Sequence, residues 1–370
     1  MDKNIEFNFG VISDTQERRG ASEINETLKP LKNFEDDGNN LDLIVHLGDL
    51  SESGVISKYV REAKNIEKLY DKEKDDNKLS HDCKEYSEII KSEEYIKFSE
   101  NLLNKGVEQK IVIYALWLSQ KKGELEEALQ DMNSLIKDAV EGMSKFKTEV
   151  RHIMGNADRG FPQKLEATQE LLEKSGIVSY NKPQSFSLDE KKSLIFWPSF
   201  NINEKDKDSL ENIEKIIKNF VDLNKNKESI LIFAHEIPVK GPAKPGVYEE
   251  RVRAAGQDGS ERVPFMQFLP VSKYLLELCR CLPANIKISI ACGHMHVSRK
   301  TLEAGTNFLE FDKSLKAKLR LFGGQKIDYE KYDIIPGEKR TVDLYYLPEG
   351  EVGVFEIKND GEIIYKKIEK

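Results

Sequence analysis

The sequence predicts an α/β fold in which strands and helices alternate, with one helical insertion. Three observations carry this prediction. Short β-rich apolar runs recur along the chain, separated by helix-length segments. Five of these runs end in a polar residue able to bind a metal, as strands ending at one crevice of an α/β sheet can do. One long stretch breaks the alternation with mixed charge instead of strand pattern.

The elements follow in order. Phe7 to Ile12 is an apolar run ending in Ser13-Asp14-Thr15-Gln16. Leu41 to Leu47 is a second, ending in Gly48-Asp49-Leu50. A helix-length connection between them makes a βαβ start. From Arg61 to Lys110 about half the residues are charged, with both signs mixed, as on exposed helix faces. Residues from about Val60 to Lys122 are therefore expected to be a helical insertion within one domain spanning 1–370. Leu125, Leu129, Met132, Ile136, Ala139, Met143, Phe146 and Val150 then recur at spacings of four and three. This seam fits either a coiled coil or one long helix packed against its neighbours.

A short strand from Val150 to Met154 ends in Gly155-Asn156-Ala157-Asp158. A helix over Gln163–Lys174, a strand over Lys192–Trp197 and an amphipathic helix over Leu210–Leu223 come next. The strand Ser229–Ala234 ends in His235-Glu236-Ile237-Pro238. After a loop rich in Gly, Pro and charge (240–262), a helix near Val271–Cys281 leads to the strand Ile286–Ala291, ending in Gly293-His294-Met295-His296. The part from Thr301 onward is β-rich and belongs to the same domain. It contains a hairpin signal, Asn359-Asp360-Gly361, between Val354–Ile357 and Glu362–Tyr365.

Composition excludes several classes. The chain has 370 residues, 57 Lys+Arg against 65 Asp+Glu, and a net charge of −8. That acidic balance disfavours a general nucleic-acid binder. No run approaches the ~18–20 uninterrupted apolar residues of a membrane span. The start lacks the basic and apolar regions of a secretory leader, so a cytoplasmic location is expected. Four cysteines are too few for a disulfide framework, and none is spaced as a zinc site.

The strand-ending residues are Asp14, Asp49, Asn156, His235, and His294 with His296. Carboxylate, carboxamide and imidazole donors together suit Mn²⁺, Fe or Zn²⁺. Gly48, Gly155 and Gly293 let the backbone turn sharply beside three of them. Singly, each piece is weak, since Asp after a strand is usually a cap or turn former. Five in series are hard to attribute to chance.

In series, Asp14-Thr15-Gln16, Gly48-Asp49-Leu50-Ser51-Glu52, Gly155-Asn156-Ala157-Asp158, His235 and Gly293-His294-Met295-His296 resemble the motifs of the calcineurin-like metallophosphoesterase superfamily. The resemblance implies a sandwich of two mixed sheets flanked by helices, with two divalent metal ions at the sheet edge. It assigns Asp14, Gln16, Asp49 and His296 to one metal. Asp49, Asn156, His235 and His294 would hold the other, with Asp49 bridging. Two such ions clamp phosphoryl oxygens and acidify a bridging water, whose hydroxide attacks phosphorus in line. Asp49, Asn156, Asp158 and Arg159 are the candidate catalytic residues.

Two departures shape the expected activity. Gln16 stands where many members have His, and its harder carbonyl oxygen favours Mn²⁺ or Mg²⁺ over iron or zinc. Ala157 replaces a His thought to protonate the leaving group. A lost general acid costs about 10²–10⁴ in rate, less when the leaving group is already a good anion. A phosphodiesterase is therefore favoured over a phosphomonoesterase, with Arg159 as a candidate to offset charge on the phosphate.

The remaining polar residues receive structural readings. His46 and His152 read as satisfied strand histidines, His81 as solvated, and Glu236 as pointing to solvent. Glu52 reads as support for its motif, and Arg18 and Arg19 as surface residues. The loop 240–262 carries five basic and four acidic residues and could reach substrate. Two other functions compete. One is a scaffold that keeps the fold, with a protein partner or a second copy bound through the insertion. The other is a nuclease, disfavoured by the lack of a basic-aromatic groove.

Overall fold

The computed structural model describes residues 5–13, 15, 20–50, 54–74, 79–104, 110–155, 158, 162–200, 206–236, 270–293, 316–321, 326–327, 341–347 and 350–368. The chain begins β1 (Ile5–Ile12), α1 (Gly20–Asp36) and β2 (Leu43–His46). Five helices follow: α2 (Gly54–Glu73), α3 (His81–Lys91), α4 (Glu93–Asn104), α5 (Lys110–Lys121) and α6 (Leu125–Met143). Then come β3 (Val150–Ile153), α7 (Pro162–Lys174), β4 (Val178–Tyr180), β5 (Gln184–Ser187), β6 (Lys192–Trp197) and α8 (Lys207–Asn224). The rest is β7 (Ser229–Ala234), α9 (Pro270–Cys281), β8 (Lys287–Cys292), β9 (Lys316–Leu321), β10 (Lys326–Ile327), β11 (Thr341–Tyr346), β12 (Val352–Lys358) and β13 (Ile363–Lys367).

Among the described residues the strands form two mixed sheets. The first has six strands in the order β13-β12-β1-β2-β3-β4, and β1 to β4 run parallel. The second has seven in the order β10-β9-β11-β8-β7-β6-β5, with β6, β7, β8, β11 and β9 parallel. Strand alternation explains how they stack. Phe9, Val11, Leu43, Val45 and Leu47 of the first sheet meet Leu194, Phe196, Leu231 and Phe233 of the second in one buried layer. The intervening residues of the second sheet, such as Ile195, Trp197, Ile230 and Ile232, turn outward onto α8 and α9. Those of the first, such as Ile12, Ile44 and Val150, turn onto the helices that include α1 and α6. The result is the expected two-sheet sandwich flanked by helices.

Local sequence accounts for most element ends. β6 and β7 coincide with the runs predicted from their apolar content. In α8, Asp206 caps the helix by accepting from Ser209 N–H (3.1 Å), and Ile213, Ile217 and Phe220 form its buried stripe. Gly361 takes a φ of 77° in the β12–β13 turn, as the hairpin signal requires.

Three expectations need correction. The helical segment starts at Gly54, ahead of the expected boundary near residue 60. The seam over Leu125–Val150 is not one helix, because α6 stops at Met143 and Val150 opens β3. Glu35 of α1 accounts for the break by accepting from the N–H groups of Lys147 (2.9 Å) and Thr148 (2.7 Å). The apolar spacing persists past the helix because Phe146 and Val150 stay in the same core as Ile136 and Met143. The strands β4 and β5 were not anticipated, being short and only partly buried.

Candidate metal centre

The carboxyl ends of five parallel strands are tied together by hydrogen bonds. After β1, Thr15 N–H donates to the Asp49 carbonyl (3.1 Å), beyond β2. Asp49 N–H donates to the Asp158 carboxylate beyond β3 (2.8 Å). The His235 ring after β7 reaches across to the other sheet, its Nδ1 lying 2.8 Å from the Leu47 carbonyl. After β8, Gly293 N–H donates to the His235 carbonyl (3.1 Å). A further tie joins the sheets, from Ser199 N–H after β6 to the Met154 carbonyl (2.7 Å).

His235 reaches the first sheet because of its parity. Leu231 and Phe233 point between the sheets, and His235 continues that face one step past the strand end. Its Nδ1–H donates to the Leu47 carbonyl, so it is Nε2 that carries the lone pair of the neutral ring. Nε2 lies 3.4 Å from Asp49 Oδ2, and both side chains are buried. A carboxylate oxygen facing the lone pair of a neutral imidazole at this distance would be stabilised by a shared cation. Donors each about 2.1 Å from one ion sit roughly 3.0–3.4 Å apart, so this pair fits a common metal.

The turn bearing Asp49 is strained and tightly packed. Asp49 has a φ of 56°, in the left-handed region that non-glycine residues seldom adopt. Gly48 precedes it at φ 103°, and a Cβ there would lie 2.6 Å from His235 Nδ1 and 2.8 Å from the Gly155 backbone. A Cβ on Gly155 would lie 2.1 Å from Asp49 Oδ1. These two glycines are what let the loops after β2 and β3 and the imidazole after β7 meet.

Asp158 holds the turn in place. Its Oδ2 accepts from Asp49 N–H (2.8 Å) and Gly155 N–H (2.9 Å), and its Oδ1 accepts from Leu50 N–H (2.8 Å). His152 Nε2 lies 3.0 Å from Oδ2. His46 and His152 are side by side on β2 and β3, with their Nδ1 atoms 3.0 Å apart. Thr15 Oγ1 completes the chain, 3.2 Å from His46 Nε2. Burial, and then the neighbouring His152, hold the His46 ring far below its ordinary value, at about 3. Both histidines are thus satisfied inside the fold, as the sequence led one to expect.

Glu236 departs from expectation. It is 3% exposed rather than solvated, and its Oε1 accepts from Ser199 Oγ (2.5 Å). Burial pushes its carboxyl above the usual range. His81 is exposed on α3, as expected. Cys83, Cys279 and Cys292 are buried thiols, and Cys281 is an exposed one.

Of the predicted site residues, the structure therefore brings together Asp49, His235 and Asp158. Asp14, Gln16, Asn156, Arg159, His294 and His296 lie outside the described residues, as do Glu52, Arg18, Arg19, Ala157 and the loop 240–262. Their immediate neighbours Ser13, Thr15, Gly155 and Gly293 are described, and the last three join the hydrogen-bonded strand ends above. Among the described residues no group of three or more His, Cys, Asp or Glu forms a metal cluster. The sequence reading missed the coupling of His46, His152 and Asp158. Its only trace is two strands that each carry a histidine shortly before the motif glycine.

The sequence matches no family model and no curated protein. Among solved structures 14 chains match. One of them covers 98% of this chain and 99% of its own length, at 10% identity and a TM-score of 0.44. Among the described residues no helix is long and apolar enough to cross a membrane.

Proposed function

We propose that this protein is a metal-dependent phosphoesterase, with phosphodiesters favoured over monoesters as substrates. The observation that carries the reading is the buried pair of Asp49 and His235, 3.4 Å apart where five strand ends are tied together. The donor set fits divalent ions, Mn²⁺ foremost, with Fe, Zn²⁺ and Mg²⁺ as competitors. Asp14, Gln16, Asp49 and His296 would hold one ion; Asp49, Asn156, His235 and His294 would hold the other. Such ions, when bound, supply Lewis-acid polarisation of a phosphoryl oxygen and an acidified water.

The chain's own residues have distinct tasks in this reading. His235 is oriented by its bond to the Leu47 carbonyl, which aims Nε2 toward Asp49. Asp158 is buried and accepts three backbone N–H groups, so it positions the Asp49 turn and does not touch substrate. Arg159 follows it in sequence and is the candidate cation for the phosphate. Ala157 has no proton to give, which favours esters with good leaving groups. The same residue, with the helical segment between β2 and β3, supports a second reading: a scaffold that binds a protein partner or a second copy.

Hydrolysis of a chromogenic phosphodiester and its matching monoester separates the two. Metal-stripped protein, the same protein with Mn²⁺ restored, and an Asp49→Ala variant are compared. The expected outcome is Mn²⁺-dependent cleavage, faster for the diester and absent in the variant. Bound Mn²⁺ without turnover of either ester would move the reading to the scaffold.

A further inference from the structure

The left-handed turn at Asp49 carries four polar backbone groups, the N–H and C=O of Asp49 and of Leu50, and both residues are buried. Buried groups of this kind must find partners. The two N–H groups donate to the Asp158 carboxylate, each at 2.8 Å. Both carbonyls are taken by a single residue on the opposite side. Thr15 N–H donates to the Asp49 carbonyl (3.1 Å), and the Thr15 hydroxyl donates to the Leu50 carbonyl (3.0 Å). Asp158, beyond β3, and Thr15, beyond β1, therefore hold the turn from the two flanks of β2.

The sheet explains the backbone half of this grip. β1 and β2 are parallel, and their ladder runs on past the strands, with Leu47 N–H on the Ile12 carbonyl (2.8 Å) and then Thr15 N–H on the Asp49 carbonyl. Any residue but proline could supply that N–H. The hydroxyl is what the side chain at position 15 adds. Thr15 is itself buried, and His46 Nε2 lies 3.2 Å from its Oγ1, which fixes the hydroxyl from its other side. A φ of 56° at a non-glycine residue persists only where its surroundings over-determine it. Without the hydroxyl, the Leu50 carbonyl loses this donor, and one flank of the turn is held by a lone backbone N–H.

We propose that Thr15 is a positioning residue: its hydroxyl, opposed to the Asp158 carboxylate, holds Asp49 in the left-handed conformation and so keeps Asp49 Oδ2 facing His235 Nε2. The grip on the turn stands on hydrogen-bond geometry. Only its consequence for metal binding rests on the phosphoesterase reading.

Two variants of the full chain test the grip. Thr15→Val removes the hydroxyl and keeps the branched shape and the N–H; Thr15→Ser keeps both donors. In Thr15→Val, the amides of Thr15, Asp49 and Leu50 are expected to exchange about 10-fold faster or more, with β6 to β8 unchanged. Thr15→Ser is expected to exchange as the native protein does. Native exchange at those three amides in folded Thr15→Val would overturn the proposal. A reading on the native protein covers the case in which that variant does not fold. Before Mn²⁺ is added, the Thr15 hydroxyl proton is expected as a slowly exchanging NMR signal, and rapid exchange with water would overturn the proposal. Mn²⁺ titration then separates the grip from the phosphoesterase reading. Thr15→Val is expected to bind about 10–100-fold more weakly, with native affinity restored in Thr15→Ser. Equal affinity in the native protein and Thr15→Val, or a loss that serine does not restore, would overturn the positioning of Asp49 for metal. A native protein that binds no Mn²⁺, with the exchange changes present, would sink the phosphoesterase reading and leave the grip on the turn standing.

Discussion

At their common edge the two sheets are fastened in different ways. The first sheet uses buried polar side chains: Thr15, His46, His152 and Asp158 link the turns after β1, β2 and β3. The second continues its backbone ladder, with His235 N–H on the Trp197 carbonyl (3.3 Å) and Gly293 N–H on the His235 carbonyl (3.1 Å). To this it adds the His235 ring and the Ser199–Glu236 pair. A backbone ladder tolerates side-chain change, whereas a side-chain network shares each loss among several bonds. The first edge should therefore be the brittle one.

The largest expected effect is Asp158→Ala, which strips three N–H groups and the His152 ring of their partner. Each buried donor left unsatisfied costs about 1–3 kcal/mol, and here there are several. Ser199→Ala on the second sheet removes one donor to a buried carboxyl, about 1–3 kcal/mol. Urea unfolding of both variants compares the edges, and equal losses would break the contrast. Gly155→Ala comes next. Its Cβ would run into the Asp49 backbone N at 2.6 Å as well as Oδ1, so about 3 kcal/mol is expected. The same variant should lose Mn²⁺ binding in a calorimetric titration.

Acid should also act first on the first sheet. His46 is held at about 3 against an ordinary 6.5, so the folded state refuses a proton that the unfolded chain takes. Its contribution is complete above about 6.5 and is lost as the pH falls toward 3. Glu35 adds a lower window. Burial raises its carboxyl, but Lys32 and the Lys147 and Thr148 N–H groups outweigh this and hold it at about 2. Its contribution is present above 4.5 and lost as the pH falls toward 2. Glu236 on the second sheet works in the opposite sense, since protonation relieves its buried charge. Hydrogen exchange at decreasing pH should therefore open β2 and β3 before β6 and β7. The smallest effect is Asp206→Ala at the start of α8, about 1 kcal/mol from the lost cap, read as a shift in urea midpoint.

Much of this could be read from the sequence, for identifiable reasons. Lys192–Trp197 and Ser229–Ala234 are visible as strands because apolar residues occupy both faces of a buried parallel strand. The positions of Asp49, His235 and Asp158 at strand ends were legible because each run stops where its apolar residues do. The end of α6 was not, because the residue that breaks the seam, Glu35, lies on another helix far back in the chain. Glu236 looked solvent-facing because nothing near it in sequence reveals that Ser199 closes over it.

By itself, then, the sequence determined the alternation of strands and helices, their faces, and which polar residues stand at strand ends. These depend on periodicity and on turn residues, which act over a few positions. Only the tertiary structure decided that His235 meets Asp49 across two sheets, and that His46, His152 and Asp158 share protons. Those outcomes depend on distances between segments far apart in the chain, and a hydrogen bond forms or fails within a few tenths of an ångström.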